Sequence, residues 1–215
     1  MYCSQAGSHL FLLQQEERMK EIITENKQKR EKRLILQVRG TEIDCSTRPL
    51  VMGIVNLSVD SFSGDGLPQT SQALQYAQKI VTQGADIVDI GGESARTNRA
   101  PIEEEEEIRR IIPFVEGFCS TVANMKSSAP LLSINTWRPN VARTILNFGG
   151  HILNDMSGLL TSENASICAE TGAALVIMHS RGEPKIAHKH IHYSNIMDAL
   201  QFFFGKNSLS RTARC

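Results

Sequence analysis

A chain of 215 residues with 23 basic and 23 acidic side chains has no net charge to offer a polyanion, and nucleic-acid binding is not expected. Its 41% hydrophobic content supports a core of ordinary size, yet no apolar run reaches membrane-spanning length. The cysteines Cys3, Cys45, Cys119, Cys168 and Cys215 are scattered, odd in number and without a CxxC pair, which points to reduced thiols of a cytoplasmic protein. The short apolar patch near the start has no basic region before it, so a secretory signal is not expected.

Residues 12–33 are rich in Glu, Lys, Arg and Gln and read as a helix with a thin apolar stripe, ending in the basic run Lys27–Arg33. Leu34–Val38 alternates, and Gly40 and Thr41 would turn it towards Glu42–Cys45 as a small hairpin. Residues 1–46 thus form an N-terminal extension. A repeating unit begins after it. Strands are expected at 50–56, 85–91, 130–134, near 151–154 and at 173–178. Helices are expected at 71–83, from the Glu103–Glu107 run onwards, after Pro139, at 162–171 and at about 194–204. The acidic run suits a helix N-terminus, where acids favour the dipole. Ile196, Met197, Leu200, Phe203 and Phe204 are expected to be the buried stripe of the last helix, and residues 205–215 a polar tail. Strands alternating evenly with helices argue for parallel βα units.

The chemistry gathers where strands end. Val51–Val55 is an apolar run that empties at Asn56 into Ser58, Asp60, Ser61, Ser63 and glycines. Ligands of parallel α/β folds sit at such carboxyl ends, and Asn56 offers a neutral oxygen there. The same run is compatible with a plain strand and turn, with Asn56 closing an Asx-turn.

Residues 50–66, with MGIVN and DSFS, resemble the first strand and loop of the dihydropteroate synthase family, usually MGI-N-V-T-P-D-S-F-S-D-G-G. Gly84–Arg96, GADIVDIGGESAR, is similar to its second strand and loop; Ile152–Gly158 resembles its INDxSG segment; and Val176–Pro184, VIMHSRGEP, resembles its fifth strand and loop. Four motifs in order, across about residues 48–185, identify the chain with the first part of that family's catalytic domain. The resemblance implies a (β/α)8 TIM barrel, here incomplete at about five βα units, occupying residues 47–204.

It also implies an activity: joining 6-hydroxymethyl-7,8-dihydropterin pyrophosphate to p-aminobenzoate in folate synthesis, with Mg2+. Asn56 matches the family's metal-binding asparagine. Arg96 matches an arginine on the phosphate side, where a guanidinium binds oxygens in pairs. Asp60, Ser61 and Phe62 match the loop that closes over p-aminobenzoate, and Ala95 stands beside that second substrate. Asn135 and Asn154 match pterin-binding positions, and Met178 an apolar floor under the ring. His179 and Arg181 match the family's MHxRG.

The chain departs from the family's pattern in several places. Ser58-Val59 replaces the usual Thr-Pro, and Ala95 lacks the usual hydroxyl. Asn135 stands where the family has a pterin-binding aspartate, so Asn135→Asp is expected to strengthen pterin binding. The family's later motifs are missing, which leaves two alternatives: a non-catalytic pterin-binding fragment, or a pterin module of the methyltetrahydrofolate type. Five units would leave open strand edges, and Ile54, Ile87, Ile134 and Ile177 without a facing layer. A second copy or a completing chain is expected there. His188, His190 and His192 alternate as a weak metal-binding pattern that the family does not share.

Overall fold

The apolar runs of Ile, Val and Leu become parallel strands because each following helix carries its own apolar stripe and must return to cover them. The computed structural model describes residues 33–57, 67–94, 100–122, 129–180, 182–186 and 192–212. They divide between two compact units, residues 33–36 with 42–49 in one, and residues 37–41 with those from 50 onwards in the other.

The expected hairpin is present as β1 (Ile35–Val38) and β2 (Thr41–Asp44). Its turn residues Arg39 and Gly40 both have positive φ, 47° and 75°, as a two-residue I′ turn requires. In the smaller unit, Asp44 accepts from Ser46 and pairs with Arg33, and these bonds hold its carboxyl down at about 2. The expected helix 12–33 lies outside the described residues, save Arg33.

In the larger unit the order is β3 (Met52–Asn56), α1 (Leu67–Thr82), β4 (Ile87–Gly91), α2 (Glu104–Val122), β5 (Leu131–Asn135), α3 (Pro139–Phe148), β6 (Ile152–Asp155), α4 (Glu163–Thr171), β7 (Ala174–Ile177) and α5 (Ile196–Thr212). The strands form one parallel sheet in chain order, β3 to β7, the first five βα units of the barrel plan. Several strands are shorter than expected at their starts, where the ladder has not yet begun.

One face of the sheet is dry. Val55, Val88, Ile90, Leu132, Ile134 and Leu153 are fully buried there, among Ala73, Ala77, Phe114, Val141, Ile145 and Ile167 of the helices. Pro139 starts α3 at N1, where a missing N–H costs nothing. Arg39 donates to the carbonyls of Leu146 and Gly150 at the other end of α3, which suits a cation at a helix C-terminus.

Three expectations are corrected. Ile134 and Ile177 are not inner-barrel residues: Ile134 alternates with Ser133 and Asn135 and belongs to the helix-side core, and Ile177 is in register with Asp155 on that same side, whereas Ile54 is 59% exposed on the other face. The apolar stripe of α5 is largely exposed, at Ile196, Met197 and Phe204, and only Leu200 and Phe203 turn partly inwards. Helix α5 also continues to Thr212 instead of yielding to a polar tail at 205, because polar residues without a proline do not stop a helix.

Candidate functional site

A parallel sheet points all its carboxyl ends the same way, and the strand register decides which side chains meet there. Ile54 pairs with Asp89, Asp89 with Ser133, Asn56 with Gly91, and Asn135 with Asn154. With a period of two, these residues all belong to the face opposite the helices. Asn56 is exposed at the tip of β3, and Asn135 and Asn154 are half-buried at neighbouring tips. Three of the sequence-predicted residues thus share one face at one end of the sheet. Met178, just past β7, is 43% exposed and lines a cavity of about 130 Å3 with Trp137, Met156 and Lys185. Asp60, Ser61, Phe62, Ala95 and Arg96 lie outside the described residues, as do Arg181, His188 and His190.

The centre of the cluster is a residue that motif matching did not single out. Asp89 is 2% exposed. Its carboxylate accepts from Ser133 Oγ at 2.5 Å and from Asn154 Nδ2, which lies 3.3 Å from each oxygen. The signal in the sequence was a lone acid inside the apolar strand IVDIG. Burial pushes the Asp89 carboxyl above its ordinary range, and the bonds from Ser133, Asn154 and Asn135 only partly oppose this.

The sign of the pH effect follows. A carboxyl whose folded-state pKa is raised contributes stability below its unfolded pKa, and this is lost as pH rises through the raised value. Glu107 is raised by burial in the same direction. Asp89→Asn removes one of the two groups. In urea unfolding from about pH 4 to about pH 8, the variant should lose less stability than the unaltered chain. Parallel curves would show that Asp89 titrates normally.

A second buried network flanks the tips. Arg138 Nη1 lies 2.6 Å from Glu93 Oε2 and 2.5 Å from Glu107 Oε2, and Nη2 donates to the Ile102 carbonyl at 2.7 Å. Lys185 Nζ donates to the Ser94 carbonyl at 2.7 Å and stands 3.1 Å from Glu93 Oε1. Burial opposes the charge on Arg138, but the Glu93 hydrogen bond and the two acids raise its pKa further. This corrects the reading of the Glu103–Glu107 run: Glu104–Glu106 suit the helix start, whereas Glu107 is fully buried against Arg138. The network ties the segment after β4, which leads to Arg96, to the start of α3 and to the segment after β7.

Two further residues are structural. Asp155 points to the helix side and organises the turn after β6 through Ser157 and Asn164. His179 stacks edge-on against Phe203 at 4.9 Å and also meets Tyr193. Gly158, at φ 76°, is required there, since a Cβ would meet the Met178 carbonyl and the Phe203 ring at 2.9 Å. A cleft of about 770 Å3 runs beside α5, lined by His179, His192, Tyr193 and Phe203 among others; His192 of the alternating histidines is there, whereas Asn56, Asn135, Asn154 and Met178 do not line it. Among the described residues no group of three or more His, Cys, Asp or Glu could hold a metal ion, and no helix is long and apolar enough to cross a membrane.

Comparison with known proteins places this geometry. The family described as pterin binding enzyme matches residues 52–213. The chain is 34% identical over 181 residues to the dihydropteroate synthase of Escherichia coli K12, covering 84% of this chain and 60% of that protein. It is 36% identical over 166 residues to the mitochondrial folate synthesis bifunctional protein of Pisum sativum, covering 75% of this chain and 32% of that one. The Burkholderia cenocepacia dihydropteroate synthase complexed with 7,8-dihydropteroate superposes at a TM-score of 0.69 and 30% identity, covering 85% of this chain and 60% of that chain. The Xanthomonas albilineans enzyme with 4-aminobenzoic acid gives 0.69 at 31% identity, covering 83% and 61%. The chain therefore spans about 60% of the length of its bacterial relatives.

Proposed function

Because the chain belongs to the pterin binding enzyme family, we propose that it acts in the dihydropteroate synthase reaction, holding a pterin pyrophosphate across its strand tips for attack by p-aminobenzoate. The observation that carries this reading is the row of Asn56, Asn135 and Asn154 on one face at the carboxyl ends of β3, β5 and β6. The amine nitrogen bonds to the pterin methylene carbon, the carbon–oxygen bond breaks, pyrophosphate leaves with the electron pair, and the amine proton passes to solvent.

Asn135 and Asn154 would pair with the heterocycle edge, and Met178 would lie under the ring. Asp60, Ser61, Phe62 and Ala95 would order the second substrate, and Arg96 would hold phosphate oxygens. Mg2+ would neutralise charge on the leaving pyrophosphate. Asn56, an exposed neutral oxygen donor, fits one position of such an ion; the others would come from the pyrophosphate and water, as is common for Mg2+. Among the described residues no further strand pairs with the outer edges of β3 and β7, which supports a completing chain or a second copy as partner. The scattered cysteines, odd in number and without a CxxC pair, support a cytoplasmic location.

The test combines pterin binding, followed by fluorescence, with pyrophosphate release in the presence of both substrates and Mg2+. Binding with turnover is the expected result. Binding without turnover would reduce the protein to a pterin-binding module, and absence of binding would overturn the reading. Arg96→Ala should lower turnover about ten- to a hundredfold through lost charge-assisted phosphate bonds. An unchanged rate would remove Arg96 from the site.

A further inference from the structure

Gly91 ends β4, and each of the next three residues is held by a cation from a different element. Arg110 of α2 donates to the Gly92 carbonyl at 3.0 Å. Arg138, the N-cap residue of α3, pairs with Glu93 Oε2 at 2.6 Å. Lys185, in the segment after β7, donates to the Ser94 carbonyl at 2.7 Å and stands 3.1 Å from Glu93 Oε1. The side chains of Lys185 and Glu93 are only 9% and 3% exposed. An ammonium so buried and so engaged is neutralised within the protein and does not meet an anion itself.

The backbone of Lys185 is unusual as well. It stands at φ 67°, in the left-handed region, where a side chain of this size is strained and glycine is at ease. Such strain persists where the surrounding contacts over-determine the residue, and it gathers at functional sites. The contacts at Lys185 are made by a compact charge with three donors on a long stem. They join positions 91 residues apart. They also join two ends of the site. Met178 and Lys185 line one cavity, and the clamped carbonyl of Ser94 lies two residues before Arg96.

We propose that Lys185 is a positioning residue: by clamping the backbone at Glu93–Ser94 it sets the direction in which the chain runs on to Arg96, and so controls the binding of a pyrophosphate group that it does not touch. The inference rests on the reading above, in which Arg96 holds phosphate oxygens and Met178 lies under the pterin, and deepens it. Only a few soft dihedrals separate the clamped peptide from Arg96, so an error at the clamp is carried to the guanidinium. Bidentate phosphate binding is sensitive to such an error because its geometry is fixed.

The test separates the two ends of the substrate. The full chain and its Lys185→Met variant, which keeps most of the stem, are titrated by calorimetry with inorganic pyrophosphate and Mg2+, and by fluorescence with 6-hydroxymethylpterin, which carries no phosphate. Lys185→Met should weaken pyrophosphate binding by about tenfold or more and pterin binding by less than about threefold. A general structural role would weaken both alike; that result, or an unchanged pyrophosphate affinity, would overturn the proposal. In an Arg96→Ala background, Lys185→Met should weaken pyrophosphate by less than about twofold further. Losses that simply add would mean that Lys185 acts apart from Arg96, which also overturns it. The unaltered chain labelled with 15N-lysine gives a reading that needs no variant to fold. One ammonium with slowly exchanging protons is expected near neutral pH, and its absence would show the clamp to be open in solution and overturn the proposal. A chain that binds pyrophosphate but no pterin overturns the wider reading, and the pyrophosphate titrations still decide the role of Lys185. A chain that binds pterin but no pyrophosphate overturns the role of Lys185 alone.

Discussion

Replacing Arg138 by methionine is expected to destabilise the fold by about 3–5 kcal/mol at neutral pH. The arginine side chain is 12% exposed and faces Glu93 and Glu107, whose side chains are 3% and 1% exposed. Methionine keeps much of the packed stem but leaves two buried acids facing one another. Lys185, 3.1 Å from Glu93, is the one other cation in the described network. The uncompensated charge, more than the lost bonds, sets the size of the effect. Its pH dependence separates this from a packing defect. Without Arg138, the Glu107 carboxyl is pushed up further, and protonation relieves the repulsion. The loss should therefore be smaller near pH 5 than near pH 8, the direction expected for a raised carboxyl. Adding Glu107→Gln should recover at least about 1 kcal/mol. Urea unfolding of the three forms measures this. A loss below about 1 kcal/mol at both pH values would mean that water solvates the acids and the network is not buried in solution.

Asp155→Ala should cost about 2–4 kcal/mol for a different reason. The fully buried carboxylate accepts from the Ser157 N–H at 2.8 Å, from Ser157 Oγ at 2.6 Å and from Asn164 Nδ2 at 2.9 Å. Alanine strands these donors where water does not reach. Asp155→Asn keeps the shape and one acceptor and should cost about 1 kcal/mol. The neighbouring Asn154 lies on the opposite face of β6 and bonds to Asp89 instead. Pterin affinity of the folded Asp155→Ala variant should therefore fall by less than about tenfold while its denaturation midpoint drops sharply. A comparable loss in both would mean that the turn and the strand-tip amides move as one piece. Denaturant unfolding and fluorescence titration on the same preparation distinguish the two outcomes.

Much of the fold could be read before the structure because it is built from local units. Each strand is a short apolar run, and each helix carries a stripe at helical spacing. Gly149 and Gly172 close α3 and α4, a local signal of the same kind. The asparagines stood out for a similar reason, since each is the point where an apolar run stops. Motif order then identified the family. Harder to read was the face to which each strand residue belongs. Ile54 and Ile134 look alike in sequence, but one is 59% exposed and the other fully buried. A one-residue change of register would exchange them. The stripe of α5 was misjudged because periodicity shows that a face is apolar without showing what covers it.

Local chemistry in the chain thus set the βα order, the polar strand tips and the family. The partnerships within the site came from tertiary structure. Asp89 and Asn154 are 65 residues apart, and Arg138 lies 45 from Glu93 and 31 from Glu107. No propensity or spacing rule connects such positions. They meet because parallel strands pair in one register and the returning helices hold the sheet in place. Burial then gives the meeting its chemical consequence: a carboxyl raised by lost solvent, with the Asn154 amide held against it.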